Sequence, residues 1–293
     1  MNGALTILCN PAAGSGRSTA LIDRLRERAP EAAIVTSDEH DGVRALITDL
    51  ALSSDDTLAV LGGDGTIHQA VSGLFDAHDP PLPTLAILPC GSGNALATAL
   101  GVRSEAGAFS ALFDGTPRSI DVARLKTDAG TSHAINVIGW GLPARVTARA
   151  AASRGPRGMP YTRAALTELL FGDISPVHVT TNAAATTHDI LGLACLTPHS
   201  GGGIPVAPNA LLDDGEFDFV RVDPTSRPRL LALFARLMRG RHLTARGVEH
   251  RLASTLNLTF DSPQPLVVDG EMQTTRHLTI KILPRALRVL VSH

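Results

Sequence analysis

The chain has 293 residues, 44% hydrophobic and 18% charged, which is apolar material for about two cored domains and excludes a disordered chain. With 26 basic and 28 acidic residues the formal net charge is −2, so no global pull toward nucleic acid exists and any anion must be held locally. Three scattered cysteines, Cys9, Cys90 and Cys195, read as buried free thiols of a cytoplasmic, reducing compartment, and no apolar run reaches the ~18 residues of a membrane span, which limits lipid contact to a peripheral one. The N-terminal segment lacks a basic n-region and meets a turn at Asn10-Pro11 too early for a signal peptide.

In chain order, short apolar runs at residues 5–9, 33–36, 58–61 and 84–88 alternate with helical apolar spacing at 19–28, 43–52, 67–74 and 94–100. This alternation predicts an α/β domain with a parallel sheet and crossover helices over residues 1–122. From about residue 123 to 293 the pattern becomes short strand-like runs at 177–181, 190–197, 217–222, 256–260, 266–268, 278–282 and 287–291, with helices at 161–171 and 227–241. That half predicts a β-rich, sandwich-like domain whose last strand is open to a return into the first.

Three strand ends in the first domain run into loops rich in Gly or Pro. The most informative is Gly62-Gly-Asp-Gly-Thr, at the end of an apolar strand: Gly62, Gly63 and Gly65 would allow close approach and unusual dihedrals, and Asp64 would sit at a helix start. Unpaired N–H groups and a positive dipole end suit a phosphate chain, and a fixed carboxylate suits its metal. The loop Asn10-Pro-Ala-Ala-Gly-Ser-Gly offers Asn10, Gly14 and Ser15 to phosphate or ribose, but it lacks the lysine of a Walker A motif. The third loop, Pro89-Cys-Gly-Ser-Gly-Asn-Ala-Leu-Ala, offers Gly91, Ser92, Gly93 and Asn94; it is neither a dinucleotide fingerprint nor a nucleophile elbow, and Asn94 has an N-cap as its plain alternative. Because ligands collect at the carboxyl ends of parallel strands, the three loops should meet in one crevice.

Further along, Ile120-Asp-Val and Val268-Asp-Gly-Glu set Asp121, Asp269 and Glu271 at the edges of apolar runs, as a kinase needs for a base and for metal positioning; a plain Asp-Gly hairpin turn is the competing reading of the second. Asp214, in Asp213-Asp-Gly-Glu-Phe-Asp, is a cation candidate or a solvated turn. His199 and Ser200 before three glycines lack the surroundings of an esterase.

Taken together with Gly201-Gly-Gly, these motifs resemble, in order and over essentially the whole chain, the diacylglycerol kinase catalytic-domain family of lipid kinases, which includes bacterial diacylglycerol kinases and sphingosine kinases. The resemblance implies Mg-ATP meeting a lipid hydroxyl in an interdomain cleft. It implies Asp64 as the Mg²⁺-organising carboxylate and Asp269 as general base, with Glu271 and Asp121 in support. Asn94, Thr66 and the Gly91–Gly93 loop would contact nucleotide, and Asp214 would mark a second, structural metal site. The Ser-Gly-Asn-Ala-Leu-Ala version of the third loop is similar to sphingosine kinases. Arg145, however, lies where those offer an aspartate to the head group, and a cation there would repel an amine, which favours a glycerolipid. The resemblance thus implies a lipid substrate at a membrane surface and no nucleic-acid partner, and leaves a homodimer open. Two other readings stand beside it: an NAD kinase-like enzyme, and a nucleotide- or lipid-binding module without turnover. Asp64→Ala and Asp269→Asn are expected to abolish transfer with thermal unfolding nearly unchanged. In helix 227–241, Leu230, Leu233, Phe234 and Leu237 form one stripe, either packed on the second domain or freeing Arg229, Arg236 and Arg239 for anionic lipid. Helix 161–171 could instead lie over an acyl chain.

Overall fold

A computed structural model describes residues 3–10, 17–37, 42–91, 93–152, 161–181 and 186–292. The chain divides into two compact units, residues 1–122 with 284–293, and residues 123–283.

The first unit runs β1 (Leu5–Cys9), α1 (Arg17–Arg28), β2 (Ala33–Thr36), α2 (Gly42–Asp49), β3 (Thr57–Gly62), α3 (Asp64–Ala77), β4 (Thr84–Pro89), α4 (Ala95–Ala99), α5 (Glu105–Asp114) and the first part of β5 (Thr116–Thr127). Strands pair in parallel in the order β2-β1-β3-β4. β3 is buried at all six positions, as expected of a parallel strand covered on both faces. Helix α3 buries Thr66 through Leu74 without a break, so it lies inside the unit and lacks the one-sided stripe of a surface helix.

The second unit continues with β6 (Gly130–Ala134), β7 (Val137–Gly141), α6 (Leu142–Ala152), α7 (Tyr161–Phe171), β8 (Val177–Thr181), β9 (Thr186–Asp189), β10 (Leu191–Cys195), β11 (Phe217–Val222), α8 (Arg227–Leu237), β12 (Val248–Ala253), β13 (Thr255–Val268) and β14 (Glu271–Val291). Its strands pair antiparallel, β12-β11-β10-β7-β13-β14, around a core holding Trp140, Phe217, Phe219 and Phe260. The end of β14 belongs to the first unit, where Val289 pairs in parallel with Leu85 and Arg288 Nη2 donates to the carbonyls of Ser54 and Leu82 at 2.5 and 2.9 Å.

Several sequence expectations need correction. Residues 256–260 and 266–268 form one strand, β13, whose ladder skips register between Thr259 and Gln264; a bulge absorbs the prolines that read as a break. Residues 278–282 and 287–291 are likewise one strand, bent where Arg285 takes a φ of 51° after Pro284. Helix α8 stops at Leu237, four residues early, because Gly240 turns left-handed (φ 64°). Its Leu230, Leu231, Leu233 and Phe234 pack on the core of the second unit, so the packing reading of that stripe holds. Helices α5 and α6 were absent from the sequence reading, although Pro143 and an Ala/Arg-rich run mark α6. No helix among the described residues is long and apolar enough to cross a membrane.

Candidate active site

In the first unit, parallel register brings three strand ends level, Cys9 opposite Leu61 and Gly62 opposite Pro89. Chain order then makes Asn10, Gly63 and Cys90 leave the sheet at one edge. The Asn10 amide donates to Leu61 O at 3.3 Å, the Cys90 amide to Gly62 O at 2.9 Å, and Asn10 Nδ2 to Thr66 Oγ1 at 3.4 Å. A Cβ on Gly91 would lie 2.6 Å from Gly63 Cα, and one on Gly62 would lie 2.5 Å from Thr66 Cβ. Close approach is therefore what demands glycine. Unusual dihedrals do not: Gly62, Gly63, Gly65 and Gly91 have ordinary φ. Gly91→Ala is expected to lower the calorimetric melting temperature, at a cost of about 1–3 kcal/mol, because the methyl meets main chain that cannot yield. An unchanged melting temperature would show that the two loops can separate freely.

Asp64 opens α3, and the first intrahelical bond runs from Ile67 N to Gly63 O, which leaves the N–H groups of Asp64, Gly65 and Thr66 without partners inside the helix. Asp64 Oδ1 accepts from Ala95 N at 2.7 Å. It thereby satisfies the first N–H of α4, the capping task that was the plain alternative for Asn94. Asn94 makes no side-chain cap. It sits in the left-handed region (φ 50°, ψ 46°) and clasps its own loop, with Oδ1 accepting from Gly91 N at 3.0 Å and Nδ2 donating to Gly91 O at 2.7 Å. The Asn94 clasp and the Asp64 bond together fix the third loop against the start of α3. Gly14, Ser15 and Ser92 lie outside the described residues. Asp121 is buried in β5, where Oδ1 accepts from Arg285 N at 2.7 Å and so steadies the bend after Pro284.

In the second unit, Asp269 and Gly270 form the two-residue turn between β13 and β14, with Val268 opposite Glu271 and positive φ at both turn positions (49° and 98°). The hairpin reading is therefore realised, because a mirror-image turn accepts Asp-Gly without strain. Asp269 is nonetheless not a solvated turn residue. It is buried, and its carboxylate accepts three consecutive main-chain amides: Ile135 to Oδ2 at 2.8 Å, and Asn136 and Val137 to Oδ1 at 2.9 and 2.8 Å. The oxygens of Asp269 are aimed at these amides, and Glu271 begins β14 half-buried.

Asp214 is exposed and accepts from Glu216 N at 3.1 Å, an Asx-type turn completed by Gly215 at φ 82°. Arg145 lies on α6 with Nη2 on Ser175 O at 3.2 Å. Its charge helps hold the Asp173 carboxyl below the usual range, behind the larger effect of the Ser175 hydroxyl and amide. Arg145 is thus placed in the packing of α6 on the 173–175 loop. Among the described residues, no three His, Cys, Asp or Glu side chains form a group able to hold a metal ion. Burial pushes the Cys9 and Cys195 thiols up, so neither is a nucleophile near neutral pH.

Two residues near Asp269 escaped sequence reasoning. Asn136 is buried with neither carboxamide atom hydrogen-bonded, which is costly unless water or a ligand group compensates. Tyr161, the sole tyrosine, packs its ring on Gly201, where a Cβ would come within 2.9 Å, and its hydroxyl lies 3.8 Å from where a Gly270 Cβ would be. Its uniqueness in a chain with 3% aromatic residues was the available signal.

Comparison with known proteins fits both units. Residues 4–125 match the "Diacylglycerol kinase catalytic domain", and residues 136–291 match the "YegS C-terminal NAD kinase beta sandwich-like domain". A Mycobacterium tuberculosis protein named "Diacylglycerol kinase" is 30% identical over 98% of this chain and 95% of its own length. A Shewanella frigidimarina protein named "Probable lipid kinase YegS-like" is 28% identical over 91% of this chain and 86% of its own. A crystal structure described as a diacylglycerol kinase from Bacillus anthracis superposes with a TM-score of 0.73 at 22% identity, covering 99% of this chain and 97% of that one, and shares the fold. With both halves matched in order and a relative at that identity spanning nearly its full length, the chain belongs to the diacylglycerol kinase catalytic-domain family of lipid kinases.

Proposed function

We propose that this lipid kinase transfers the γ-phosphate of ATP to the hydroxyl of a neutral glycerolipid, with diacylglycerol the first acceptor to try. The observation that carries the reading is the corner of the first unit where Asn10, Gly63, Asp64 and Gly91 leave neighbouring strand ends. Gly63 and Gly91 bring main chain against main chain there, and the start of α3 lies beside the Asp64 carboxylate. A triphosphate suits that corner, since helix N-terminal amides hold anions and bare glycine lets phosphate approach. Mg²⁺ would be held chiefly by phosphate oxygens and water with Asp64 behind them. That is the usual manner for this hard ion, and it fits the lack of a preformed carboxylate cage among the described residues.

Asp269 is the acceptor-side carboxylate in this proposal. Three amides fix its direction, and an oriented carboxylate is what proton abstraction from a hydroxyl requires. Glycerolipid rather than sphingoid base is supported by the name "Diacylglycerol kinase" of the Mycobacterium tuberculosis relative. Arg145 adds little, being turned to Ser175. γ-labelled ATP offered with diacylglycerol, sphingoid base, ceramide, phosphatidylglycerol and NAD in detergent micelles is expected to label diacylglycerol most strongly. Label appearing in NADP alone, or in sphingoid base alone, would replace the proposed substrate.

A further inference from the structure

The second unit carries a basic groove that the transfer reaction does not use. It has a volume of about 380 Å³ and lies along α8 and the turn leading into β12, with Arg229, Arg236 and Arg246 in its lining. Arg229 and Arg236 are seven residues apart, two helical turns, and so share one face of α8. Arg246 comes from the turn whose Gly247 carbonyl accepts from Asp223 N at 2.9 Å, which ties the two walls together. All three arginines are exposed. Arg229 and Arg246 have no carboxylate partner among the described residues, and Arg236 uses its Nε on Arg241 O at 3.1 Å. The one acidic lining residue, Asp223, is already held by Arg221 Nη1 at 2.9 Å. The groove thus gathers guanidinium groups whose charge is not neutralised locally.

We propose that this groove docks the protein on an anionic membrane by binding phospholipid headgroup phosphate. Guanidinium groups match phosphate oxygens through paired N–H donors. Half-buried Leu233 adds an apolar patch to the lining that suits the glycerol portion of a lipid and offers nothing to a free phosphate ion. Whole-chain charge makes the local patch necessary, because a formal −2 gives no attraction to an anionic surface. No described helix can cross the bilayer, so a lipid-kinase chain has to meet its substrate from the membrane surface. The proposal rests on the lipid-kinase reading only for the identity of the surface, and docking is measured without nucleotide, so failure of docking and failure of transfer are separate results.

The test is sedimentation of the full chain with vesicles of phosphatidylcholine alone or mixed with phosphatidylglycerol, at low and raised salt. At about 1 kcal/mol per arginine near the surface, the triple variant Arg229→Gln/Arg236→Gln/Arg246→Gln should bind the mixed vesicles roughly 100-fold more weakly than the native chain. The charge-matched variant Arg26→Gln/Arg103→Gln/Lys281→Gln, at exposed positions away from the groove, should bind like the native chain, and phosphatidylcholine alone should retain neither. Trp140 fluorescence checks that each variant is folded. Equal binding by the groove variant and the native chain would overturn the proposal, as would an equal loss in the charge-matched variant. If inorganic phosphate stabilised the native chain but not the groove variant, and vesicles of either kind were ignored, the site would serve a soluble phosphate and the membrane assignment would fall.

Discussion

Asp269→Asn is expected to unfold the second unit at distinctly lower denaturant, by about 2–4 kcal/mol, whatever it does to activity. The two carboxylate oxygens accept three buried amides, and an asparagine has only one acceptor oxygen. If that oxygen keeps Asn136 and Val137, the new NH₂ faces the Ile135 N–H, donor against donor, in a buried place. The charge that strengthens all three bonds is lost as well. Asparagine tolerates the left-handed φ of 49° at least as well as aspartate, so backbone strain does not enter. Asp269→Ala adds that strain and should be worse still. Trp140, the only tryptophan and buried in the core of this unit, reports the transition directly. The sequence-based expectation that Asp269→Asn leaves unfolding unchanged is therefore replaced. Lost activity in this variant identifies a base only if measured under conditions where Trp140 shows a folded unit. A denaturation midpoint equal to that of the native chain would mean that the three amides find water as readily as they find the carboxylate.

Asp64 allows the cleaner separation. Asp64→Asn keeps an oxygen for the Ala95 N–H and removes the charge, so stability should stay within about 0.5 kcal/mol of native while transfer falls roughly 100-fold or more. Asp64→Ala should lose transfer equally and also lose the bond that satisfies the start of α4, at about 0.5–2 kcal/mol. Equal loss of activity with unequal loss of stability is the signature of a carboxylate that serves both the chemistry and the loop. If Asp64→Asn retained transfer while Asp64→Ala lost it, the residue would be a structural cap and the metal role would pass elsewhere.

How much could be read in advance depends on how far apart in the chain the interacting groups lie. Strands 5–9, 33–36, 177–181 and 217–222 and helix 161–171 were legible to the residue, because each is a run of periodic apolar residues cut off by turn residues with no proline inside. The Gly62-Gly-Asp-Gly-Thr junction was legible for the same reason, a strand and a helix joined with no room for a loop. β13 and β14 were read as two pieces each because proline marks a break, whereas a bulge and a bent strand carried the ladder past it. The partners of Asp269 lie more than 130 positions away, so nothing in the Asp-Gly dipeptide discloses them, and the same holds for Asp121 with Arg285. Asn94 was a matter of geometry: asparagine both caps helices and accepts left-handed backbone, and only the φ of 50° shows which it does here. Arg145 illustrates the opposite limit, a charge assigned to a ligand because its carbonyl partner on another element could not be foreseen.

The most direct measurement follows label from γ-labelled ATP onto diacylglycerol in mixed micelles, with native chain and Asp64→Asn run side by side at equal folded concentration. The account predicts labelled phosphatidic acid from the native chain, dependent on Mg²⁺, and a signal near background from the variant. Transfer at the native rate by Asp64→Asn, or no labelled lipid from a folded native chain, would contradict it.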